Sequence, residues 1–188
     1  MVINEKALVK ELKEAYKGWG YTVIVRPGDE WVFMTKAWAA QIDGQGNVPN
    51  EVLSLIVLHM GYLPEPETAY RVYKTDTGPA IQKEVYSVAE ETWLALCQQR
   101  QETEGKPVLC KQTKLWLGNC RVWQRPADLE ILLIDPTYER IIESKKNIRV
   151  VGDAIYSEGE ISCVYVMRVQ NVGEKAHLEH LAQMQWIE

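Results

Sequence analysis

The chain is poor in the residues that staple, ligate or catalyse. Its 188 residues hold only four cysteines, three histidines and one phenylalanine. Cys97, Cys110, Cys120 and Cys163 are far apart and form no C-x-x-C pair. Each sits in an apolar run, where a thiol behaves as a small hydrophobe, so the spacing speaks against a structural zinc site. Nor does folding require metal or disulfide, because a chain of this length that is 46% hydrophobic can bury roughly 70% of its unfolded surface. Long apolar runs are missing too. The longest, Val52 to Met60, is interrupted by Ser54 and His59 and falls far short of the roughly 20 residues that span a bilayer. Met1 leads into Asn4-Glu5-Lys6 without a basic and then apolar leader, so the expected location is cytoplasmic, with reduced thiols.

Catalytic signatures are equally scarce. No G-x-S-x-G, P-loop, G-x-G-x-x-G or H-E-x-x-H pattern occurs, and no histidine lies near a cysteine in sequence. His59 falls in an apolar helix and reads as a core histidine with a local partner. His177 and His180 stand three apart near Glu174 and Glu179 but lack a third ligand in recognisable spacing. Asp128, Glu130, Asp135, Asp153, Glu158 and Glu160 could hold Mg²⁺, yet Asp135 precedes Pro136 as a helix cap and the others resemble turn and solvent residues. The reading calls for no cofactor and no metal.

The net charge is −5 and the pI about 5.4, which excludes whole-surface attraction to nucleic acid or anionic lipid. One segment reverses that sign. Between Gly105 and Ala127 lie Lys106, Lys111, Lys114, Arg121 and Arg125, with Trp116 and Trp123 and no acid. Gly118-Asn119 between Leu115-Trp116-Leu117 and Cys120-Arg121-Val122-Trp123 predicts a two-residue hairpin turn with positive φ at Gly and Asn. An unbroken register pairs Leu117 with Cys120, Trp116 with Arg121, Leu115 with Val122 and Lys114 with Trp123. Alternation then puts Leu115, Leu117, Cys120 and Val122 on a core face, and Lys114, Trp116, Arg121 and Trp123 on a solvent face. That face suits phosphate contact with base stacking. It equally suits cross-strand cation–π pairs that only support the hairpin.

Seven Trp and nine Tyr against one Phe favour aromatic rings with one wet side. Trp38, in Lys36-Ala37-Trp38, joins Trp116 and Trp123 as a candidate exposed ring, whereas Trp31, Trp93 and Trp186 fit apolar stripes and are assigned to the core.

The element pattern is α+β: antiparallel, hairpin-rich sheet packed by about five helices, with two similar halves, 1–86 and 87–188, as one arrangement of it. Asn4 caps a helix whose apolar face is Leu8, Leu12, Ala15 and Tyr16, with Gly18 as the stop. Strands follow at Tyr21 to Arg26 and from Trp31, continuing to Ile42. A helix near Pro49, apolar almost all round, ends at Gly61, and a strand runs from Tyr70 to Lys74. Ser87 and Glu90 form a capping box for a third helix reaching about Arg100. After the basic hairpin come a strand at Leu129 to Ile134, a short helix from Asp135-Pro136 to near Asn147, a hairpin of Ile148 to Tyr156 with Ile161 to Val169, and a last helix from Glu174 to Trp186.

The function expected from these residues is non-catalytic: a binding or structural accessory protein acting through exposed aromatic and hairpin surfaces on a protein partner or a second copy of itself. The alternative is a nucleic-acid-associated protein using the 106–125 hairpin, with Lys111, Lys114, Trp116, Arg121, Trp123, Arg125 and Trp38 as contact residues. In element order alone, a duplicated chain of this kind is similar to sliding clamps. A metal-dependent hydrolase is the third reading, and no reading involves a membrane.

Overall fold

The computed structural model describes residues 1–102, 109–127, 130–145 and 148–169. Among them are four α-helices: α1 (Glu5–Lys17), α2 (Asn50–Met60), α3 (Tyr86–Glu102) and α4 (Pro136–Glu139). The strands are β1 (Tyr21–Arg26), β2 (Glu30–Met34), β3 (Trp38–Ile42), β4 (Thr68–Thr75), β5 (Gly78–Glu84), β6 (Lys111–Leu117), β7 (Cys120–Gln124), β8 (Ile131–Ile134), β9 (Arg149–Val151), β10 (Ala154–Glu158) and β11 (Ser162–Met167). The expected α+β class is what forms, with four described helices; the helix expected at 174–186 lies outside the described residues.

Eight strands make one antiparallel sheet in the order β5-β4-β1-β2-β3-β11-β10-β9, and β6-β7-β8 make a second. Strands from before and after residue 87 meet in the large sheet where β3 pairs with β11. Among the described residues the order helix, three-strand meander, helix, strands occurs twice, from α1 to β5 and from α3 to β11. In each, the strand after the second helix returns to the start of the meander: β4 pairs with β1, and Arg149 of β9 bridges Leu109 just ahead of β6.

The period of two along each strand sorts side chains between two cores. Tyr21, Val23 and Val25 of β1 and Trp31 and Phe33 of β2 face α1, α2 and the small sheet. Ile24, Val32 and Met34 face α3, which contributes Ala89 and Trp93. Trp31 and Trp93 are buried as their stripes predict.

Expectations for three helices need correction. Helix α2 is not buried all round: Val52, Leu55, Ile56 and Met60 point inward, but Leu58 is 73% exposed and Val57 also faces out. The α3 helix begins at Tyr86, and the Glu90 carboxylate accepts from Tyr86 Oη (3.0 Å) and Arg26 Nε (3.2 Å) instead of completing a box with Ser87. Asp135 does cap α4, accepting from the Thr137 N–H at 2.8 Å, but the helix stops at Glu139 rather than near Asn147. The chain leaves it because Ile142 bridges Ile3 and the Glu143 N–H bonds the Val2 carbonyl (2.8 Å), which ties this segment to the N-terminus.

Candidate functional site

The basic hairpin forms around Gly118-Asn119, and Leu117 faces Cys120 and Trp116 faces Arg121 as the turn predicts. Only Gly118 takes a positive φ, +58°, which is the Gly-first turn pattern and not one with both central residues left-handed. Beyond Trp116 the register shifts, and Gln112 now faces Trp123. The Thr113 hydroxyl fills the irregularity, donating to the Val122 carbonyl (2.8 Å) and accepting from the Leu115 N–H (3.1 Å). The pairs Leu115–Val122 and Lys114–Trp123 are therefore not made.

This changes the candidate face. Trp123 is 1% exposed, packed in the main core with Leu132 and Ile134, and its Nε1–H donates to Glu139 Oε2 at 3.2 Å. Buried Glu139 also accepts from Gln112 Nε2 (2.8 Å) and pairs with Lys145. The base of the hairpin lies on the core and only its tip projects. There Trp116 is 51% exposed, with the Arg121 guanidinium 4.0 Å from its ring centroid, and Lys114 is exposed; Lys111 is exposed too but lies at the base of the hairpin, opposite Gln124. Arg125 is turned aside onto Glu130 at 2.5 Å. Trp38 is also not on the surface: at 1% exposure it shares the inward face of β3 with Ala40 and Ile42.

Among the described residues the most exposed tryptophan is Trp19, which the sequence pattern did not single out. It is 80% exposed. Gly18 closes α1 and the Gly20 N–H returns to the Ala15 carbonyl (2.7 Å), so the intervening residue is pushed outward. Gly20 has φ +81°, and a Cβ there would lie 2.8 Å from the Val72 carbonyl oxygen. Arg71 Nη2 donates to the Trp19 carbonyl (2.9 Å), and Lys36 Nζ lies 5.3 Å from the indole centroid. Lys36 is held out by a tight β2–β3 turn in which the Thr35 hydroxyl accepts from the N–H groups of Ala37 and Trp38, both at 3.1 Å.

Trp19 stands at a cleft of about 660 Å³ between the α1 flank, the β2–β3 turn and α3. Its lining includes Glu11, Ala15, Ala37, Leu96, Tyr138 and Met167. Glu11 is 4% exposed, and burial raises its carboxyl pKa; Glu14 and Asp135 add to the rise, while Lys10 and Arg140 oppose it. Tyr138 is raised by burial first, then by Asp135 and Glu11. Small apolar walls with a few polar groups at one rim are the usual make-up of a ligand site.

His59 is a packing residue, as expected. Tyr16 stacks on its ring with centroids 3.7 Å apart, Tyr21 Oη lies 3.1 Å from Nδ1, and burial followed by the Lys13 charge lowers its pKa. Asp153 pairs with Arg168 at 2.7 Å. Among the described residues no group of three or more His, Cys, Asp or Glu could hold a metal, and no helix is long and apolar enough to cross a membrane. His177, His180, Asp128 and Trp186 lie outside the described residues. No protein-family model matches the chain, and no curated protein or solved structure matches it significantly.

Proposed function

We propose that this chain is a binding protein with no chemistry of its own, and that its ligand sits in the Trp19 cleft. The observation that carries this reading is an indole 80% exposed at the mouth of a cleft of about 660 Å³. A large apolar ring held in water forgoes roughly 1.5–3 kcal/mol of burial, and a bound ligand restores it. Two glycines and the Arg71 bond hold the residue outward, so the exposure is a property of the backbone.

The test uses the apolar anionic dye anilinonaphthalene sulfonate, whose emission rises when it enters an apolar cleft. Saturable binding that Trp19→Ala abolishes and Trp116→Ala leaves intact supports the cleft. Equal loss in both variants, or no saturable binding, contradicts it.

A second reading rests on Trp116 with Arg121 stacked over it at 4.0 Å. The hairpin would then grip single-stranded nucleic acid, with Lys111 and Lys114 on phosphates. Salt-dependent oligonucleotide binding whose slope falls by about one on Lys114→Ala favours it. We also infer that 1–86 and 87–188 derive from one repeated unit, because β4 returns to β1 as β9 returns toward β6.

A further inference from the structure

We propose that the cleft takes an elongated zwitterion with an apolar body, the ammonium group against Glu11 and the carboxylate against Arg71 and Lys36. This rests on the cleft reading above and goes further by naming the ligand chemistry.

The cleft lining carries opposite charges, Glu11 on one side and Arg71 with Lys36 on the other, while Glu14 between them along α1 is paired with Lys17 at 3.0 Å. At the Trp19 end, Arg71 spends one N–H on the Trp19 carbonyl and keeps other donors of its guanidinium fork. Lys36 is exposed over the indole. Neither cation enters an ion pair among the described residues. At the other end Glu11 is buried and takes no hydrogen bond among the described residues. Its carboxylate oxygens are not sealed from solvent but open to the cleft, where a bound ammonium supplies three donors. Burial raises the Glu11 pKa, outweighing the help that Lys10 and Arg140 give its charge.

Helix α1 sets the separation. From Glu11 to Gly18 the helix climbs about 10 Å at 1.5 Å per residue. An extended chain advances about 3.3–3.6 Å per residue, so a peptide of about three residues with free termini spans the two ends. Ala15, Ala37, Ala95, Leu96 and Met167 supply apolar or small lining for its side chains. A straight ω-amino acid of the same length offers the same end groups without the peptide bonds.

Calorimetric titration of the full chain with leucyl-alanyl-leucine, its N-acetyl form, its C-terminal amide and ω-aminooctanoate tests the assignment. The free tripeptide should bind, and each capped form should bind about tenfold or more weakly, as expected for one lost charge-assisted hydrogen bond. Glu11→Gln should weaken the free tripeptide but not the N-acetyl form. Because the capped ligands are measured on the unaltered protein, the test stands even if that variant folds poorly. Comparable binding of ω-aminooctanoate supports the zwitterion and removes the preference for peptide bonds. Equal affinity for free and capped tripeptides overturns the zwitterion and leaves the cleft in place. Dye binding without binding of any zwitterion does the same, whereas failure of dye and zwitterions together removes both.

Discussion

Replacing Gly20 by alanine tests how the backbone presents Trp19, with Gly118→Ala as the reference. Both glycines have positive φ, +81° and +58°. A Cβ in that region costs about 1–2 kcal/mol at either site. Only at Gly20 does the new methyl meet fixed atoms: the Val72 carbonyl oxygen at 2.8 Å and Tyr73 Cβ at 2.9 Å, while nothing lies within 4 Å at Gly118. Overpacking of that kind adds about 1–3 kcal/mol. Gly20→Ala should therefore cost roughly 2–5 kcal/mol and Gly118→Ala roughly 1–2 kcal/mol. Urea denaturation at unchanged m-value reads both costs as shifts of midpoint. The same Gly20 variant should weaken dye binding, since Trp19 is the next residue. Equal losses at the two sites, or an unaltered dye affinity in Gly20→Ala, would refute the reasoning.

Further outcomes follow from buried groups. Leu55→Ala or Ile56→Ala should cost about 2–5 kcal/mol in denaturant titrations, and Leu58→Ala less than about 0.5 kcal/mol; similar costs would mean α2 is not one-sided. Glu139→Ala should cost about 2–4 kcal/mol, because it orphans Trp123 Nε1–H and Gln112 Nε2; a cost under about 1 kcal/mol would remove that carboxylate as the tie between the small sheet and α4. Glu11 has a folded pKa raised above its ordinary 4.5, so the folded chain binds the extra proton and its contribution to stability is lost as pH rises through the raised value. Glu11→Gln removes that loss. Its urea midpoint should match the wild type's below pH 4.5 and exceed it at pH 8, and a variant less stable than wild type at pH 8 would contradict this.

Much of the fold was legible because local chemistry and tertiary packing agree. Asn4, Asp135 and Gly118 do in the structure what their residue types do in isolation. The hairpin face differs from its expected pattern because alternation carries a register only as far as the ladder is regular. One Thr113 hydroxyl between Gln112 and Trp116 breaks it, and no residue pattern announces that break. Nor does a strand pattern say which face another layer covers, which is why Trp38 and Trp123 read as surface residues. The cleft leaves two traces in the sequence. Trp19 is a bulky ring between two glycines just past a helix end. Glu11 stands three residues after Leu8 and four before Ala15, on the apolar stripe of α1, where an acid is out of place.

The central claim is that recognition occurs at Trp19 and not at Trp116. It is tested most directly by the indole N–H signals of the ¹⁵N-labelled chain, with those of Trp19 and Trp116 assigned from Trp19→Phe and Trp116→Phe spectra. Titration with leucyl-alanyl-leucine, and separately with a mixed single-stranded oligonucleotide at low salt, should shift the Trp19 signal saturably with the peptide and leave Trp116 in place with both. Movement of Trp116 with the oligonucleotide while Trp19 stays fixed in both titrations would contradict the account and transfer the function to the hairpin.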